Sequence, residues 1–324
     1  MHQPLAVVYL GEAMALILGV DGGNSKTAVL VATTDGELVS SLRGPGTNTH
    51  AVGPDVVADV IGALVAESGA ALPVEHATFF LCGADAPSDI EGLERAIDGR
   101  GWARACTVDN DTFALLRAGS DAETAVAVVC GAGINVVGRS GERVARYPSL
   151  GWETGDWGGS VMLGREVLRL AARGEDGRGE PTALSTIVRE HFGAASVEDV
   201  GADVYYGRLP QARLAELAPQ VVAAAADGDA VSAALIDRLA REIVLMGCRA
   251  MRDLDVQVAD VVLGGGMLAG GAGLLYETVV AQLPDGARPV LAPDPPVVGA
   301  ALAALDSVGA LEDAKRRLRA ESRA

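Results

Sequence analysis

The chain has 324 residues, which is long enough for two domains of about 150 residues each. Its residues are 49% hydrophobic and only 4% aromatic, which indicates cores filled by Ala, Val and Leu and excludes a disordered chain. The net charge of −17 argues against nucleic acid and anionic membranes as partners, because an acidic surface repels phosphate groups.

Four cysteines occur singly, without a C-x-x-C pair, at Cys82, Cys106, Cys130 and Cys248. This scatter argues against a zinc ribbon, an iron–sulfur cluster and a disulfide scaffold, and it fits a reducing compartment. The N-terminus lacks a basic region and a cleavage site typical of signal peptides, and no apolar run approaches the roughly 20 residues that span a bilayer. We therefore expect a cytoplasmic protein, with residues 1–13 as an upstream extension.

The first predicted unit is a three-stranded meander. Residues 15–20 form an apolar strand that runs into a glycine loop, Asp21–Lys26, and two further strands follow at Thr27–Ala32 and Glu37–Leu42. The dipeptide Asp35-Gly36 predicts the hairpin turn between the last two strands. The next predicted elements are a helix over 53–69, a buried strand over His76–Cys82 and a short helix over Ile90–Ile97.

A similar order recurs about 110 residues later. Ala125–Cys130 predicts an apolar strand, Gly131–Gly133 a glycine turn, and Asn135–Gly138 and Glu142–Tyr147 two further strands. Such repetition indicates a duplicated domain. We place the boundary near residue 120, giving an N-terminal lobe over 1–120 and a C-terminal lobe over 121–324.

The second lobe is predicted to be helical between residues 160 and 253 and to end with two strands and a helix. The predicted elements are helices Val161–Arg173, Pro181–Phe192, Gln211–Ala226 and Ala230–Asp253, strand Ala259–Leu263 leading into Gly264–Gly266, strand Val290–Ala292 and helix Val297–Leu305.

The first glycine loop, D-G-G-N-S-K-T, joins two strands, whereas a Walker A loop leads from a strand into a helix. Glycines let backbone N–H groups approach phosphate oxygens, and Ser25, Lys26 and Thr27 add donors. Asp21, at the end of the strand, is a candidate to hold Mg²⁺ through water. The competing interpretation is a hairpin turn with a solvated lysine.

Two more glycine loops follow buried strands. Gly131–Gly133 is a candidate second clamp for the same phosphates, and Gly264–Gly266 joins a strand to a helix, where nucleotides often bind. Each loop alone is equally compatible with a simple turn or with close packing. Three such loops, two of them in duplicated units, together indicate a nucleotide site.

These motifs resemble the BadF/BadG/BcrA/BcrD ATPase family and, within it, the N-acetylglucosamine kinases, from residue 15 to about 306. D-G-G-N-S-K-T and C-G-A-G-I-N resemble the two phosphate motifs, L-C-G-A-D and P-P-V-V-G-A-A-L-A-A-L the connecting motifs, and V-V-L-G-G-G-M-L the adenosine motif. The resemblance implies a duplicated, two-lobed α/β fold of the actin/hexokinase type (ribonuclease H-like). It also implies ATP and Mg²⁺ in a central cleft, a sugar substrate and a homodimer.

By the same resemblance, residues divide into three binding groups. The phosphates would contact Gly22, Gly23, Asn24, Ser25, Lys26, Thr27, Gly131, Ala132 and Gly133, and the adenosine would contact Gly264, Gly265 and Gly266. The sugar would contact Asn48, Asp85, Asn110, Asp111, Gly151, Trp152 and Asp156.

Asp111 matches the family's catalytic base for the sugar hydroxyl, and a carboxylate suits that role chemically. Asp109, two residues earlier, is a second candidate for the base. For Asn48 the alternative is an Asx turn, and for Trp152 it is a place in the core.

The chain departs from the family pattern at two places. Ala132 and Ile134 replace hydroxyl residues of the second phosphate loop, and Trp157 replaces a glutamate after Asp156. The leading interpretation is a kinase that phosphorylates the 6-hydroxyl of an amino sugar, first of all N-acetylglucosamine, with glucosamine and N-acetylmuramic acid left open. The alternatives are a non-catalytic sugar or nucleotide sensor and an activator-type ATPase, which would need a cysteine-bound cluster.

Overall fold

The computed structural model describes residues 15–268 and 273–323, so the predicted extension over 1–13 lies outside the described residues. The described chain divides into two compact units. One contains residues 15–111 and 296–323, and the other contains residues 112–295. Within these residues no helix is long and apolar enough to cross a membrane.

The first unit is built on a five-stranded mixed sheet in the order β3-β2-β1-β4-β5. Strands β1 to β3 form an antiparallel meander, and β4 and β5 continue the sheet parallel to β1. Its strands are β1 (Leu16–Gly22), β2 (Lys26–Thr33), β3 (Leu38–Pro45), β4 (Val74–Leu81) and β5 (Ala103–Asn110), and its helices are α1 (Thr49–Val52), α2 (Pro54–Glu67), α3 (Pro87–Ile97), α11 (Pro296–Ser307) and α12 (Glu312–Glu321).

Strand β1 is the centre of this unit and is buried along its whole length. Leu18 and Val20 pack into the core beneath α2, whereas Ile17 belongs to the core that α11 covers. A strand covered on both faces needs an almost continuous apolar sequence, as Leu16–Val20 provides. Gly19 is required here because a Cβ would collide with the backbone of Ala301 in α11.

The second unit repeats the sheet and adds a larger helical layer. Its strands are β6 (Thr124–Cys130), β7 (Ile134–Ser140), β8 (Arg143–Arg146), β9 (Ala259–Gly264) and β10 (Ala287–Leu291). Its α-helices are α4 (Thr112–Gly119), α5 (Gly159–Glu175), α6 (Leu184–Phe192), α7 (Val197–Tyr205), α8 (Ala218–Ala226), α9 (Ala230–Asp253) and α10 (Leu274–Gln282), and its 3-10 helices are Gly151–Thr154 and Gln211–Leu217.

The sheet order in the second unit is β10-β9-β6-β7-β8. Strands β6 to β8 again form an antiparallel meander, and β9 and β10 again run parallel to the first strand of the meander. The two sheets therefore have the same topology, and the duplicated α/β fold predicted from the glycine loops is confirmed.

The division between the units differs from the predicted one. The structure separates the units between Asp111 and Thr112, whereas the prediction placed the boundary near residue 120 with all of 121–324 in the second lobe. Residues 296–323 return to the first unit because Val298, Ala301 and Leu302 of α11 bury their side chains in the same core as Ile17. The sequence marks α11 as apolar but carries no sign of which sheet it covers.

Smaller differences concern elements around prolines. The predicted helix Gln211–Ala226 is a 3-10 turn followed by α8, and Pro219 lies in the first turn of α8. Proline is tolerated there because the first amides of a helix have no intrahelical acceptor. Strand β10 includes Pro289 rather than beginning after it, as its position at the edge of the sheet permits.

Candidate functional site

In the first unit, chemically active residues lie at the carboxyl ends of three parallel strands. The register aligns Gly22 of β1 with Leu81 of β4, and Leu81 with Asn110 of β5. Asp21, Cys82 and Asp111 each lie next to a member of this row. Ligands of open α/β sheets bind at such strand ends, so the sheet topology itself brings the predicted residues of this unit together.

The loop between β1 and β2 is fixed by backbone contacts. The Gly23 amide donates to the Lys26 carbonyl at 2.9 Å, and the Thr47 amide donates to the Gly23 carbonyl at 2.9 Å. A Cβ on Gly22 would lie 2.6 Å from the Thr47 hydroxyl, so glycine is required there. The tip of the loop, Asn24 to Lys26, is exposed and can present donors to an anion.

Thr27 lies away from that exposed tip, although it was predicted as a phosphate donor. Its side chain is fully buried and its hydroxyl bonds to the Thr47 hydroxyl at 2.8 Å. Thr27 therefore stabilises the loop through its hydrogen bond with Thr47. Thr47 directly precedes Asn48 in the sequence, and no residue pattern indicates its contact with Thr27.

Asp21 is a buried carboxylate at the end of β1, with 9% of its surface exposed. Burial raises its pKa to about 6, while the positive charges of Lys26 and Arg43 lower the pKa in part. A carboxylate in this position gains from a further cation. Its donor chemistry fits Mg²⁺, which is held by one or two carboxylates, waters and substrate phosphates rather than by a cage of protein ligands.

The Cys82 thiol, directly after β4, is affected by the negative charges of three carboxylates. Burial raises the pKa of Cys82, and the negative charges of Asp111, Asp85 and Asp21 raise it further. The strand register and the hydrogen bond between Asn110 and Asp85 place these carboxylates near the same strand ends, which makes this edge of the sheet acidic. The thiol stays protonated there and serves as neutral packing.

Asn110 and Asp85 form a hydrogen-bonded pair beside Asp111. The Asn110 side-chain amide donates to Asp85 at 2.7 Å, and Asn110 is 5% exposed. Burial raises the Asp85 pKa to about 6, against the lowering effects of His50 and of the Asn110 hydrogen bond. Asp109, the second candidate base, accepts the Asn110 backbone amide at 2.8 Å.

Asn48 acts as a helix cap and a loop contact. Its side-chain oxygen accepts the amides of His50 and Ala51 at 3.0 and 3.2 Å, as expected at the N-terminus of α1. Its amide group donates to Asn24 at 2.5 Å. The Asx-type interpretation therefore describes the local geometry of Asn48, and a sugar contact would have to compete with these bonds.

In the second unit, Gly131–Gly133 forms the turn between β6 and β7. The first amides of α5, at Ser160 and Val161, donate to the carbonyls of Gly131 and Ala132 at 2.8 and 3.1 Å. Ala132 and Gly133 are exposed, so the turn can present backbone groups but offers no hydroxyl. Gly159 is required because its φ is +76° and a Cβ would collide with Ala132 and Gly133.

Gly264 ends β9, and Gly265 and Gly266 follow it in the position that Cys82 and Gly83 occupy after β4 in the first sheet. Gly264 is buried against Leu115, and Gly265 has a φ of +91° with its α-carbon against the backbone of Cys130. Gly266 is exposed with open space around it. Close packing thus explains the first two glycines, and the third is the one free to approach a nucleotide. The helix that follows begins at Leu274, and residues 269–272 lie outside the described residues.

Residues 147–157, here called the acceptor segment, border a cavity of about 290 Å³ in the second unit. The Asp156 amide donates to the Gly151 carbonyl at 2.8 Å, and the Thr154 hydroxyl donates to the Asp156 carboxylate. The cavity lining includes Gly151, Trp152, Asp156 and Arg165. The structure therefore brings the three predicted residues of this segment to one cavity and adds Arg165, which no sequence signal distinguishes from other helix arginines.

The two tryptophans of the acceptor segment have opposite environments. Trp152 is 76% exposed, so the core interpretation of this residue is wrong. Trp157 is 9% exposed and belongs to the core of the second unit. Trp157 does not line the cavity.

Comparison with known proteins gives consistent relatives. Residues 18–304 match the sequence profile of the BadF/BadG/BcrA/BcrD ATPase family. The N-acetylmuramic acid/N-acetylglucosamine kinase of Clostridium acetobutylicum is 29% identical over 264 residues, covering 79% of this chain and 86% of the relative. The N-acetyl-D-glucosamine kinase of Dictyostelium discoideum is 24% identical over 234 residues, covering 67% and 73%.

Among solved structures, one named as an N-acetylglucosamine kinase from Chromobacterium violaceum matches with a TM-score of 0.68 at 20% identity, covering 90% of this chain and 99% of that chain. At this identity the match establishes the fold alone, a duplicated α/β fold with the same sheet topology in each unit.

Proposed function

Because the chain belongs to the BadF/BadG/BcrA/BcrD ATPase family, we propose that it is an ATP-dependent kinase that phosphorylates the 6-hydroxyl of an amino sugar. N-acetylglucosamine is the first candidate acceptor, and N-acetylmuramic acid follows, since a relative is named for both sugars. The observation that carries the proposal is the position of Asp21, Asp85 and Asp111 at adjacent strand ends, next to the glycine loop of the first unit.

Asp111 is the proposed catalytic base. It would accept the proton of the sugar 6-hydroxyl while that oxygen forms a bond to the γ-phosphorus and the bond from phosphorus to the β-phosphate oxygen breaks, releasing ADP. Asn110 and Asp85, joined by a hydrogen bond of 2.7 Å, would hold the strand end that carries Asp111. A fixed base favours transfer because the reacting atoms must meet in line.

The phosphate groups would contact the exposed loop tip Asn24–Lys26 in the first unit and the turn Gly131–Gly133 in the second. Lys26 would neutralise phosphate charge, and Asp21 would hold Mg²⁺ through water. Bound Mg²⁺ supplies charge neutralisation of the leaving phosphate oxygens. The adenosine would contact Gly266, the exposed member of its glycine triplet.

The acceptor segment would bind the sugar. Asp156 and Trp152 line the same cavity, and a carboxylate beside an exposed aromatic ring is a common combination for a sugar, whose hydroxyls donate to oxygen and whose C–H faces pack on rings. Thr154 holds the Asp156 carboxylate in place by its hydroxyl.

A sugar- or nucleotide-binding sensor is the second candidate function. One observation favours it, namely that the exposed residues of the second phosphate turn, Ala132 and Gly133, have no side-chain donors. A sensor would bind its ligand without turnover. The activator-type ATPase is not favoured, because it would need cysteines that hold a cluster and the four cysteines of this chain occur singly along the sequence.

Turnover of ATP by the purified protein tests the proposal directly. The panel would contain N-acetylglucosamine, N-acetylmuramic acid, glucosamine and glucose, each with Mg²⁺ and with Asp111→Asn and Asp109→Asn variants in parallel. We expect turnover that depends on one amino sugar, a loss of at least about 100-fold in Asp111→Asn with ATP affinity retained, and near-normal turnover in Asp109→Asn. The second variant is a matched control, because asparagine keeps an acceptor for the Asn110 amide.

The results separate the candidate functions. Ligand binding without turnover on any sugar would favour the sensor. Loss of ATP affinity in Asp111→Asn would assign Asp111 to metal binding or structure, and loss of turnover only in Asp109→Asn would make Asp109 the base.

We also propose a homodimer, as the family resemblance implies, and a cytoplasmic location, where ATP is supplied. Light scattering of the purified protein gives the mass directly, and a monomer at micromolar concentration would contradict the first proposal.

A further inference from the structure

The acceptor segment begins and ends with a buried aromatic residue. Tyr147 is 8% exposed and Trp157 is 9% exposed. Between them the chain is held by bonds within the segment, such as the donation of the Leu150 amide to the Thr154 hydroxyl at 2.9 Å. The position of the whole segment therefore depends on what fixes its two ends.

Helix α9 contacts both ends with arginines. The Arg238 guanidinium lies 3.9 Å from the centre of the Trp157 ring, and the Arg249 guanidinium lies 3.9 Å from the centre of the Tyr147 ring. The two arginines are eleven residues apart, which is about three helical turns, so both project from the same face of α9. This spacing lets one rigid helix hold two points that are ten residues apart in the chain.

Each stack is supported by a carboxylate. Arg238 lies 3.9 Å from Glu166, and Arg249 lies 3.8 Å from Asp253. The Tyr147 hydroxyl donates to the same Asp253 at 2.6 Å. These carboxylates attract the guanidinium groups toward their positions over the rings, and the Tyr147 ring is also fixed by its hydrogen bond to Asp253.

We propose that α9 is the positioning element of the acceptor segment, with Arg238 and Arg249 clamping its two ends through Trp157 and Tyr147. The proposal rests on the proposed function, in which this segment binds the sugar. Neither arginine lines the cavity, so each acts through its aromatic partner. Fixing both ends sets the positions of Asp156 and Trp152, which do line it.

Kinetics of Arg238→Ala, Arg249→Ala and the double variant test the clamp. We expect the KM for the sugar to rise about threefold to tenfold in each single variant, from the usual strength of a cation–π contact, with the KM for ATP unchanged. Replacing either arginine by lysine should raise the KM for the sugar less than alanine does, because an ammonium group also stacks on a ring. Arg241→Ala is the matched control, since Arg241 lies on the same helix and pairs with Asp237 at 2.5 Å.

Hydrogen exchange of the peptide over residues 147–157 gives a readout that needs no turnover. We expect faster exchange of this peptide in both alanine variants and unchanged exchange in Arg241→Ala. Unchanged exchange, or a loss of thermal stability with an unaltered KM for the sugar, would overturn the clamp. If the wild-type protein turns over no sugar, the proposed function fails, and the exchange rates alone decide on the clamp.

Discussion

Replacing Gly265 by alanine should destabilise the second unit, because the added Cβ would collide with backbone atoms of Cys130. Gly265 has a φ of +91°, and its added Cβ would lie 2.6 Å from the carbonyl carbon and 2.7 Å from the amide nitrogen of Cys130. A left-handed conformation costs a non-glycine residue about 1–2 kcal/mol, and forcing an extra carbon into a packed position costs about 1–3 kcal/mol. The expected loss of unfolding free energy is therefore about 2–5 kcal/mol.

For a unit of this size, that loss corresponds to a decrease in Tm of about 4–20 °C, measurable by scanning calorimetry. The Met267 amide, which donates to the Cys130 carbonyl at 3.0 Å, should be displaced with it, so ATP affinity should fall as well. Gly266→Ala is the matched control for the Tm only, because Gly266 has open space around it but is itself the proposed adenosine contact. A Gly265→Ala variant with the Tm and ATP affinity of the wild type would refute the reasoning.

Two further predictions follow from the exposure and charge of single residues. Burial raises the Asp85 pKa to about 6 from an unfolded value of about 3.9, so this carboxyl stabilises the fold fully only below pH 4 and that stability is lost as the pH rises through 6. Asp85→Asn should therefore unfold at higher urea than the wild type at pH 8 but not at pH 4; an equal difference at both pH values would contradict the argument. Trp152→Ala should raise the KM for the sugar roughly threefold to tenfold without lowering the Tm, because the ring is 76% exposed and lines the cavity. Trp102→Phe changes a ring that is 8% exposed, so it should lower the Tm and leave the KM for the sugar unchanged. An unaltered KM for the sugar in Trp152→Ala would show that Trp152 is not part of the site.

The sheets and the strand-end residues could be predicted from the sequence because they obey local rules. Apolar runs interrupted by glycine mark the strands, and parallel strands place their carboxyl ends at one edge. Asp21 and Asp111 each follow such a run, so their convergence in the first unit depends only on strand order. The two similar glycine loops indicated that this strand order is repeated in the two units.

The environments of individual side chains could not be predicted in the same way. Trp152 and Trp157 lie five residues apart in one segment, yet a 3-10 turn with left-handed glycines at both ends directs one outward and the other into the core. Thr27 and Ser25 are both hydroxyl residues of one motif, and only the approach of Thr47 buries the first. These outcomes depend on contacts between residues distant in sequence, which periodicity does not record.

The return of residues 296–323 to the first unit also bears on the order of folding. Residues 112–295 are continuous in sequence and carry their own sheet and core, so they can form as soon as they leave the ribosome. The first sheet is synthesised earlier, but Ile17, Leu30 and Ala32 face a core that only α11 completes. Until residues 296–323 emerge, that face of the sheet stays open to water and to other chains. The first unit is therefore begun before the second but completed after it, and its dependence on chaperones should be greatest during synthesis.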